Sequence, residues 1–366
     1  MKILVLDQFS QLGGAQACLL TGLEAMRAGC WPVAVGVPGN GPLFCRAREL
    51  GCATFAINCG PLGLGNKSLA DAARFLIQTP RLAREIRSHA HRFGPDLVYV
   101  NGPRLLPAVA LAALQVPVLF HAHSYLPPGM PRTLGGKALC RLGASVVGCC
   151  RFVADIWKPA AAGRISVLYN GVSGPKEHVA KCHLLEPKIG CIGRISPEKG
   201  QLEFVAAAAA IHRTRPDASF VVYGAPMFSA DTRYRDQVHA AAVTLPIEFP
   251  GWIPDIYRAL AELELLLVPS APAEATTRVV LEAFAAGVPV IAFTSGGIPE
   301  VIDHGRTGFL VNSVDEMAAC AIGLLSGDAA RRCSVIRAAR EEWQARFTSA
   351  RYQSQLLEIV KFAVRN

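Results

Sequence analysis

Short runs of Val, Ile and Leu alternate with helical stretches along almost the whole chain. Ile3–Leu6, Pro32–Val37, Ala53–Ile57, Leu97–Val100, Val116–Phe120 and Ser145–Gly148 read as strands buried on both faces. Ala15–Ala28, Leu43–Leu50, Leu69–Phe93 and Pro103–Leu114 read as the helices between them. This βαβ rhythm admits one economical solution, a parallel sheet wound with helices on both faces. It pauses at Asn170–Cys182, a polar stretch with Gly and Pro that reads as a linker. It resumes with strands at Lys188–Ile192, Ser219–Tyr223, Ile247–Phe249, Leu263–Val268 and Val288–Phe293. Helices are expected at Gln201–His212, Val279–Ala286, Asp315–Leu325, Asp328–Arg346 and Ser349–Val364. The chain therefore reads as two α/β domains, residues 1–170 and 171–345, each a Rossmann-like doubly wound parallel sheet, followed by a final helical segment, 346–366.

Composition agrees with two ordinary cores. The 366 residues are 51% hydrophobic and 18% charged, apolar enough for burial to offset the entropy of ordering, which excludes a disordered chain. The longest apolar stretch, Leu105 to Phe120, is broken by Pro107, Gln115 and Pro117. It falls short of the ~18–20 residues of a spanning helix. MKILVLDQ has no apolar core followed by a small-residue cleavage site, so the expected location is the cytoplasm. Twelve cysteines are scattered without a C-x-x-C pair. Cys18, Cys45, Cys140, Cys191 and Cys320 stand in apolar company, so reduced, mostly buried thiols are expected, with no zinc site or disulfide framework.

The net charge of +9 is unevenly spread: residues 1–175 hold 17 basic and 7 acidic side chains, the remainder 20 and 21. A basic first half suits an anionic partner or surface. Between Arg81 and Arg92, residues Arg81, Arg84 and His91 recur at helical spacing beside Leu82 and Ile86. Such a face serves either as a solvated helix surface or as a contact with anionic lipid, at about 1 kcal/mol per basic residue. Only 7% of residues are aromatic, too few for the stacking platforms of single-strand binders, and no nucleic acid is expected.

Several loops carry chemistry. Gly13-Gly14 lies between the first strand and first helix. It serves either as a turn that needs glycine angles or as a close approach for a phosphate at a helix N-terminus. A dinucleotide G-x-G-x-x-G is missing there, and Gly63-x-Gly65 is followed by Ser68 in place of a third glycine, which argues against a nicotinamide enzyme. His121 and His123 follow the fifth strand, at the carboxyl end where open α/β sheets bind ligands. At i, i+2 on extended backbone they are expected to point opposite ways and not to share a metal. In Gly193-Arg194-Ile195-Ser196-Pro197-Glu198-Lys199-Gly200, the Arg194 fork and the Lys199 ammonium suit a diphosphate or form a solvated turn. Glu274 falls in the loop after an apolar strand, Thr276 or Thr277 can cap the next helix, Arg278 stands at its N-terminus and Glu282 lies on the helix. The Glu282 carboxylate could accept two ribose hydroxyls, and the N–H groups of residues 276–278 could receive phosphate. The bland alternative is two surface glutamates on a helix. Gly296-Gly297 adds a further close-approach loop.

The second half resembles the donor-binding domain of retaining GT-B glycosyltransferases of family 4. The matching text is NGV (170–172), GRISPEKG (193–200), the Glu-x7-Glu pair of EATTRVVLE (274–282), EAFAAGVPVIA (282–292) and GGIPEVIDHGRTGFLV (296–311). The first half matches more loosely at LGGAQ (12–16), PDLVYVNGP (95–103) and PVLFHAHS (117–124). The resemblance implies two Rossmann-like domains facing across a cleft, with the final helices crossing back to the first. It implies that Arg194 and Lys199 neutralise the diphosphate of a nucleotide-sugar donor, that Glu282 binds the ribose and that Glu274 touches the transferred sugar. Thr276, Thr277 and Arg278 fall in the same donor site, Gly13 and Gly14 line the phosphate and acceptor cleft, and His123 stands near the reaction centre. No metal and no cofactor are implied, and the chain has no Asp-x-Asp.

Two departures stand out. Ala275, followed by Thr276-Thr277, stands where the family usually has glycine after the first glutamate, which bears on the sugar hydroxyls that are read. His121 stands where members commonly have another residue, and no role follows for it. The expected activity is metal-independent transfer of a sugar, hexosyl in kind, with retained configuration, to a sugar or glycolipid acceptor in cell-envelope, polysaccharide or glycolipid synthesis. Peripheral membrane contact through the basic half is part of that expectation. A nucleotide-sugar isomerase or epimerase of the same fold, and a non-catalytic sugar-binding scaffold, are the alternatives.

Overall fold

The computed structural model describes residues 1–60, 69–175, 186–226, 232–270, 274–327 and 329–365. Gly63, Gly65, Ser68 and residues 176–182 of the expected linker lie outside the described residues. The chain divides into two compact units, Met1–Asn170 with Ser349–Asn366, and Gly171–Thr348.

In unit 1 the strands are β1 (Ile3–Asp7), β2 (Val33–Val37), β3 (Ala53–Ala56), β4 (Leu97–Asn101), β5 (Val118–Ala122), β6 (Ser145–Gly148) and β7 (Ile165–Val167). They form one parallel 7-stranded sheet in the order β3-β2-β1-β4-β5-β6-β7. Every residue of β1, β2, β4 and β5 is buried, which is why these strands are apolar runs without a polar face, broken only by Asp7, Asn101 and His121 at or near their carboxyl ends. The connecting helices are α1 (Gly14–Ala28), α2 (Pro42–Glu49), α3 (Leu69–Phe93), α4 (Leu106–Ala112), α5 (Met130–Leu142), α6 (Arg151–Asp155) and α7 (Lys158–Ala161). The expected helix Pro103–Leu114 begins as a 3-10 turn, Pro103–Leu105, and continues as α4.

Unit 2 repeats the scheme with β8 (Lys188–Ile192), α8 (Gln201–Thr214), β9 (Ser219–Tyr223), α9 (Arg233–Ala242), β10 (Ile247–Gly251), α10 (Ile256–Ala261), β11 (Leu265–Val268), α11 (Arg278–Ala286), β12 (Val290–Phe293), β13 (Phe309–Val311), α12 (Val314–Ser326) and α13 (Ala329–Arg346). Its parallel 6-stranded sheet runs β10-β9-β8-β11-β12-β13. In each sheet the order reverses beside the first strand, between β1 and β4 and between β8 and β11. Loops leaving those strands at their carboxyl ends diverge, opening the crevice in which such sheets bind ligands.

The last helix, α14 (Ser349–Arg365), belongs to unit 1. Tyr352, Leu356, Val360 and Ala363 recur at helical spacing and are buried in one core with Leu19, Leu23 and Met26 of α1. Each such Leu or Val contributes roughly 1.5–3 kcal/mol on burial. Gly22 makes the close approach possible, since a Cβ there would lie 2.5 Å from Leu356 Cδ2.

Two expectations are corrected. The cysteines are not mostly buried: Cys18, Cys52, Cys149, Cys150 and Cys191 are, but Cys45 and Cys140 are exposed because each lies on the outward side of a surface helix, and Cys320 is half-buried. All the described cysteines are free thiols. On α3, Leu82 and Ile86 turn into the core, 4% and 0% exposed, so they are not a lipid-facing complement to Arg81 and Arg84. The exposed apolar pair of α3 is Leu76 and Ile77, 65% and 61% exposed, one turn before Arg81. No helix among the described residues is long and apolar enough to cross a membrane.

Candidate active site

At the switch point of unit 2, two loops meet backbone to backbone. Gly193 (φ +159) ends β8, and a 3-10 turn over Pro197–Lys199 leads through Gly200 (φ +70) into α8. A Cβ on Gly200 would stand 1.8 Å from the carbonyl oxygen of Pro269, just past β11. Gly296 (φ +51), after β12, presses on the other side: its Cβ would stand 1.6 Å from the Glu274 carbonyl oxygen. Gly297 N–H donates to the carbonyls of Glu274 (3.2 Å) and Ala275 (3.1 Å). The glycines of these motifs thus let loop lie on loop; the Gly296-Gly297 approach is to the Glu274 main chain.

That packing brings sequence-distant side chains together. Lys199 Nζ donates to Glu274 Oε2 at 2.6 Å, with the side chains 21% and 13% exposed. Arg194 Nε donates to Ser196 Oγ at 3.4 Å, and its Nη2 lies 3.7 Å from Glu198 Oε1. Gln201, fully buried, pins this loop: its Nε2 donates to the Arg194 carbonyl (2.9 Å) and its Oε1 accepts from Ser196 N–H (3.3 Å). Sequence motifs did not single out Gln201; its place directly after Gly200 at the start of α8 was the available signal.

Thr277 occupies the N-cap of α11 in extended conformation, although its side chain makes no cap hydrogen bond, and Thr276 is buried beside it. Arg278 Nη2 donates to Glu282 Oε1 (3.3 Å) one turn on, and its Nη1 reaches the Gly171 carbonyl (3.4 Å). Burial raises the Glu282 carboxyl above its usual range, opposed by the Arg278 guanidinium. Arg194, Lys199, Glu274, Thr276 and Thr277 therefore lie on the two loops after β8 and β11, and Arg278 and Glu282 on the first turns of α11, with Lys199–Glu274 and Arg278–Glu282 as ion pairs among them.

In unit 1, Gly13 is the N-cap of α1 with φ −134, and neither Gly13 nor Gly14 has positive φ, so turn angles do not demand glycine there. Beside this loop lies a buried polar cluster built on Asp7, a residue outside every motif, with Gln16, Asn101 and His123 from within them. Asp7 and Asn101 are register partners at the ends of β1 and β4, 0% and 2% exposed. Asp7 accepts from Phe9 N–H (2.8 Å), from the Gln16 amide on both oxygens (3.1 Å each) and from Asn101 Nδ2 (2.5 Å). His123 Nε2 meets Asn101 Oδ1 at 2.8 Å. Burial outweighs these hydrogen bonds and pushes the Asp7 carboxyl up to about 7.

His121 and His123 do not point opposite ways: their ring centroids are 3.9 Å apart. The alternation of side chains along extended backbone puts residues i and i+2 on the same face, so His123, one residue past the end of β5, stays on the side of His121. His121 is fully buried and hydrogen-bonded through Nδ1 to the Tyr99 hydroxyl, while its Nε2 has no hydrogen-bond partner. Burial, with His123 alongside, holds His121 well below the usual imidazole range. Among the described residues no group of three or more His, Cys, Asp or Glu is arranged to hold a metal ion.

Two doubly wound sheets, each with its polar loops at the switch point, define the GT-B class of fold. Residues 12–173 match the profile of Glycosyltransferase Family 4 and residues 186–327 that of Glycosyl transferases group 1. The chain belongs to this family of glycosyltransferases. It is 28% identical over 321 residues to the sulfoquinovosyl transferase SQD2 of Arabidopsis thaliana, covering 75% of this chain and 59% of that protein. It is 34% identical over 168 residues to the GDP-mannose-dependent alpha-(1-6)-phosphatidylinositol monomannoside mannosyltransferase of Mycobacterium tuberculosis, covering 43% of this chain and 42% of that one. The matched stretches thus span about half the length of these relatives. The crystal structure of Anabaena HepE with UDP and glucose superposes with a TM-score of 0.82 over 99% of both chains, at 24% identity.

Proposed function

We propose that this chain transfers a sugar from a nucleotide diphosphate donor to an acceptor hydroxyl, with the anomeric configuration retained and without a bound metal. The observation that carries the reading is the Lys199–Glu274 couple held at the switch point of unit 2, with Arg194 on the same loop. A diphosphate needs cations and helix-start N–H groups, and a sugar hydroxyl needs a carboxylate beside them. Arg194 and Lys199 take the diphosphate, with Thr276, Thr277 and Arg278 at the adjoining helix start. Glu282 accepts from the ribose and Glu274 from the transferred sugar. In the step itself, the bond from the anomeric carbon to the diphosphate oxygen breaks with its electron pair on the diphosphate. The acceptor oxygen bonds to that carbon on the same face, and its proton passes to the leaving oxygen. Removing one donor to such a developing charge costs about 3–4 kcal/mol in the barrier.

Unit 1 supplies Gly13, Gly14 and His123 to the acceptor side. Relatives named for UDP-glucose and for phosphatidylinositol mannoside support a nucleotide-sugar donor and a glycolipid or polysaccharide acceptor. Exposed Leu76 and Ile77 near Arg74, Arg81 and Arg84 support a peripheral contact with an anionic, cytoplasm-facing membrane.

The test is a thermal-shift panel of nucleoside diphosphates and nucleotide sugars on wild type and on Arg194→Ala/Lys199→Ala. A ligand at a hundredfold excess over its Kd stabilises the fold by about 2.7 kcal/mol. A shift for one base family that disappears in the double variant is expected. An equal shift in both proteins would remove the diphosphate assignment.

A further inference from the structure

We propose that Asp7 and Asn101 are positioning residues that decide which nitrogen of His123 carries its proton. The inference rests on His123 standing beside the reacting sugar, as proposed above.

An ionised carboxylate only accepts, and Asp7 receives the Phe9 N–H, the Gln16 amide and Asn101 Nδ2. With Nδ2 committed to Asp7, the Asn101 amide has one way to face, and its Oδ1 is turned to His123 Nε2 at 2.8 Å. An acceptor opposite Nε2 requires a proton there, so the neutral ring has its lone pair on Nδ1. His121, its ring tilted by 34° with its centroid 3.9 Å from that of His123 and kept neutral by burial, completes the setting.

Protonating Asp7 reverses the arrangement. Its new O–H needs an acceptor, which Asn101 supplies by turning its amide over. Nδ2 then faces Nε2, which must accept, and the imidazole proton moves to Nδ1. One proton at Asp7 thus changes Nδ1 of His123 from acceptor to donor. The carboxyl lies near 7, where this exchange falls in the working range. The other groups acting on this cluster keep their charge there. Tyr99 on β4 is held neutral by burial, the Cys59 thiol beyond β3 is pushed up to about 11, and Arg104 beyond β4 is cationic.

The experiment is nitrogen-15 NMR of the histidine rings in the full chain, with His123 assigned by its loss in His123→Asn, alongside kinetics with the donor that stabilises the protein. Wild type is expected in the Nε2–H form at pH 8 and to shift towards Nδ1–H below pH 7. Asp7→Asn, which imitates the protonated carboxyl, is expected in the Nδ1–H form at both pH values. Asn101→Ala, which removes the connecting amide, is expected to give a mixture that no longer follows Asp7. Asp7→Asn is expected to lower kcat on the order of a hundredfold with KM for the donor unchanged. A wild-type tautomer of Nδ1–H at pH 8, or an unchanged tautomer in Asp7→Asn, overturns the relay. Full turnover by His123→Asn would instead overturn the placement of His123 at the reaction, leaving the ring spectra to decide the relay on their own.

Discussion

Lys199 and Glu274 are 75 residues apart in sequence and joined by a 2.6 Å hydrogen bond between charged groups. Each is the other's counter-ion, so under the proposed function a diphosphate would draw the ammonium away while a sugar hydroxyl takes its place on the carboxylate. Glu274→Ala is expected to lose transfer by about a hundredfold or more. It also leaves a part-buried ammonium without its carboxylate, at about 1–3 kcal/mol of stability. Glu274→Gln keeps a hydrogen bond and should keep most of the melting temperature while losing activity. Turnover and thermal unfolding of the two variants check this; equal loss of stability in both would mean that Lys199 requires the charge of Glu274 and not only a hydrogen-bond acceptor.

Glu282 is largely buried, and Arg278 is its charge partner one turn earlier. Losing one charged hydrogen bond to a ribose costs about 1.5–3 kcal/mol, so Glu282→Ala should raise the Kd for the nucleoside diphosphate by roughly tenfold or more. Calorimetric titration reads this directly, and an unchanged Kd would place the ribose elsewhere.

Gly296 sits where no side chain fits, with φ +51 and the Glu274 carbonyl in the way of a Cβ. Gly296→Ala should cost about 3 kcal/mol or more and displace Glu274, so that the surviving folded fraction binds donor poorly. Denaturant unfolding with and without nucleoside diphosphate separates the two effects.

Asp7 gives the fold a particular pH dependence. Its carboxyl in the folded state lies near 7, above the unfolded value of 3.8. The folded chain therefore holds a proton that the unfolded chain has lost, and the associated stability declines as pH rises from about 4 to about 7. Asp7→Asn cannot ionise and should be the more stable protein at pH 8, on the order of a few kcal/mol, with the advantage closing towards pH 4. Unfolding free energies across this range check it; a constant difference would mean that the carboxylate is not destabilised by its burial.

Much of the fold was legible because its central strands are buried on both faces: β1, β2, β4, β8 and β9 appear as apolar runs that no loop imitates. The misses have physical reasons. β7 (Ile165–Val167) and β13 (Phe309–Val311) are three residues each, too short to show a period. α5 begins Met-Pro-Arg and contains Gly135-Gly136, which mask a helix whose stability comes from packing on Trp157. In the site, the glutamates, Arg194 and Lys199 lay within local motifs. Asn101 and His123 lay within looser motifs, but Asp7 did not, and their joining was hidden because register between β1 and β4 brings together residues 94 apart. The backbone contacts of Gly200 and Gly296 were equally invisible, since a glycine that makes room for a phosphate and one that makes room for a carbonyl are the same letter.

Unit 1 is discontinuous: its core is closed by α14, which follows the whole of unit 2 in the chain. Synthesis therefore runs in one order and completion in another. Unit 2 can finish folding while the faces of Leu19, Leu23 and Met26 still wait for Leu356 and Val360. During that interval the nascent protein carries one sealed domain and one open one, and its exposure to chaperones and proteases ends only when the helix beginning at Ser349 has left the ribosome.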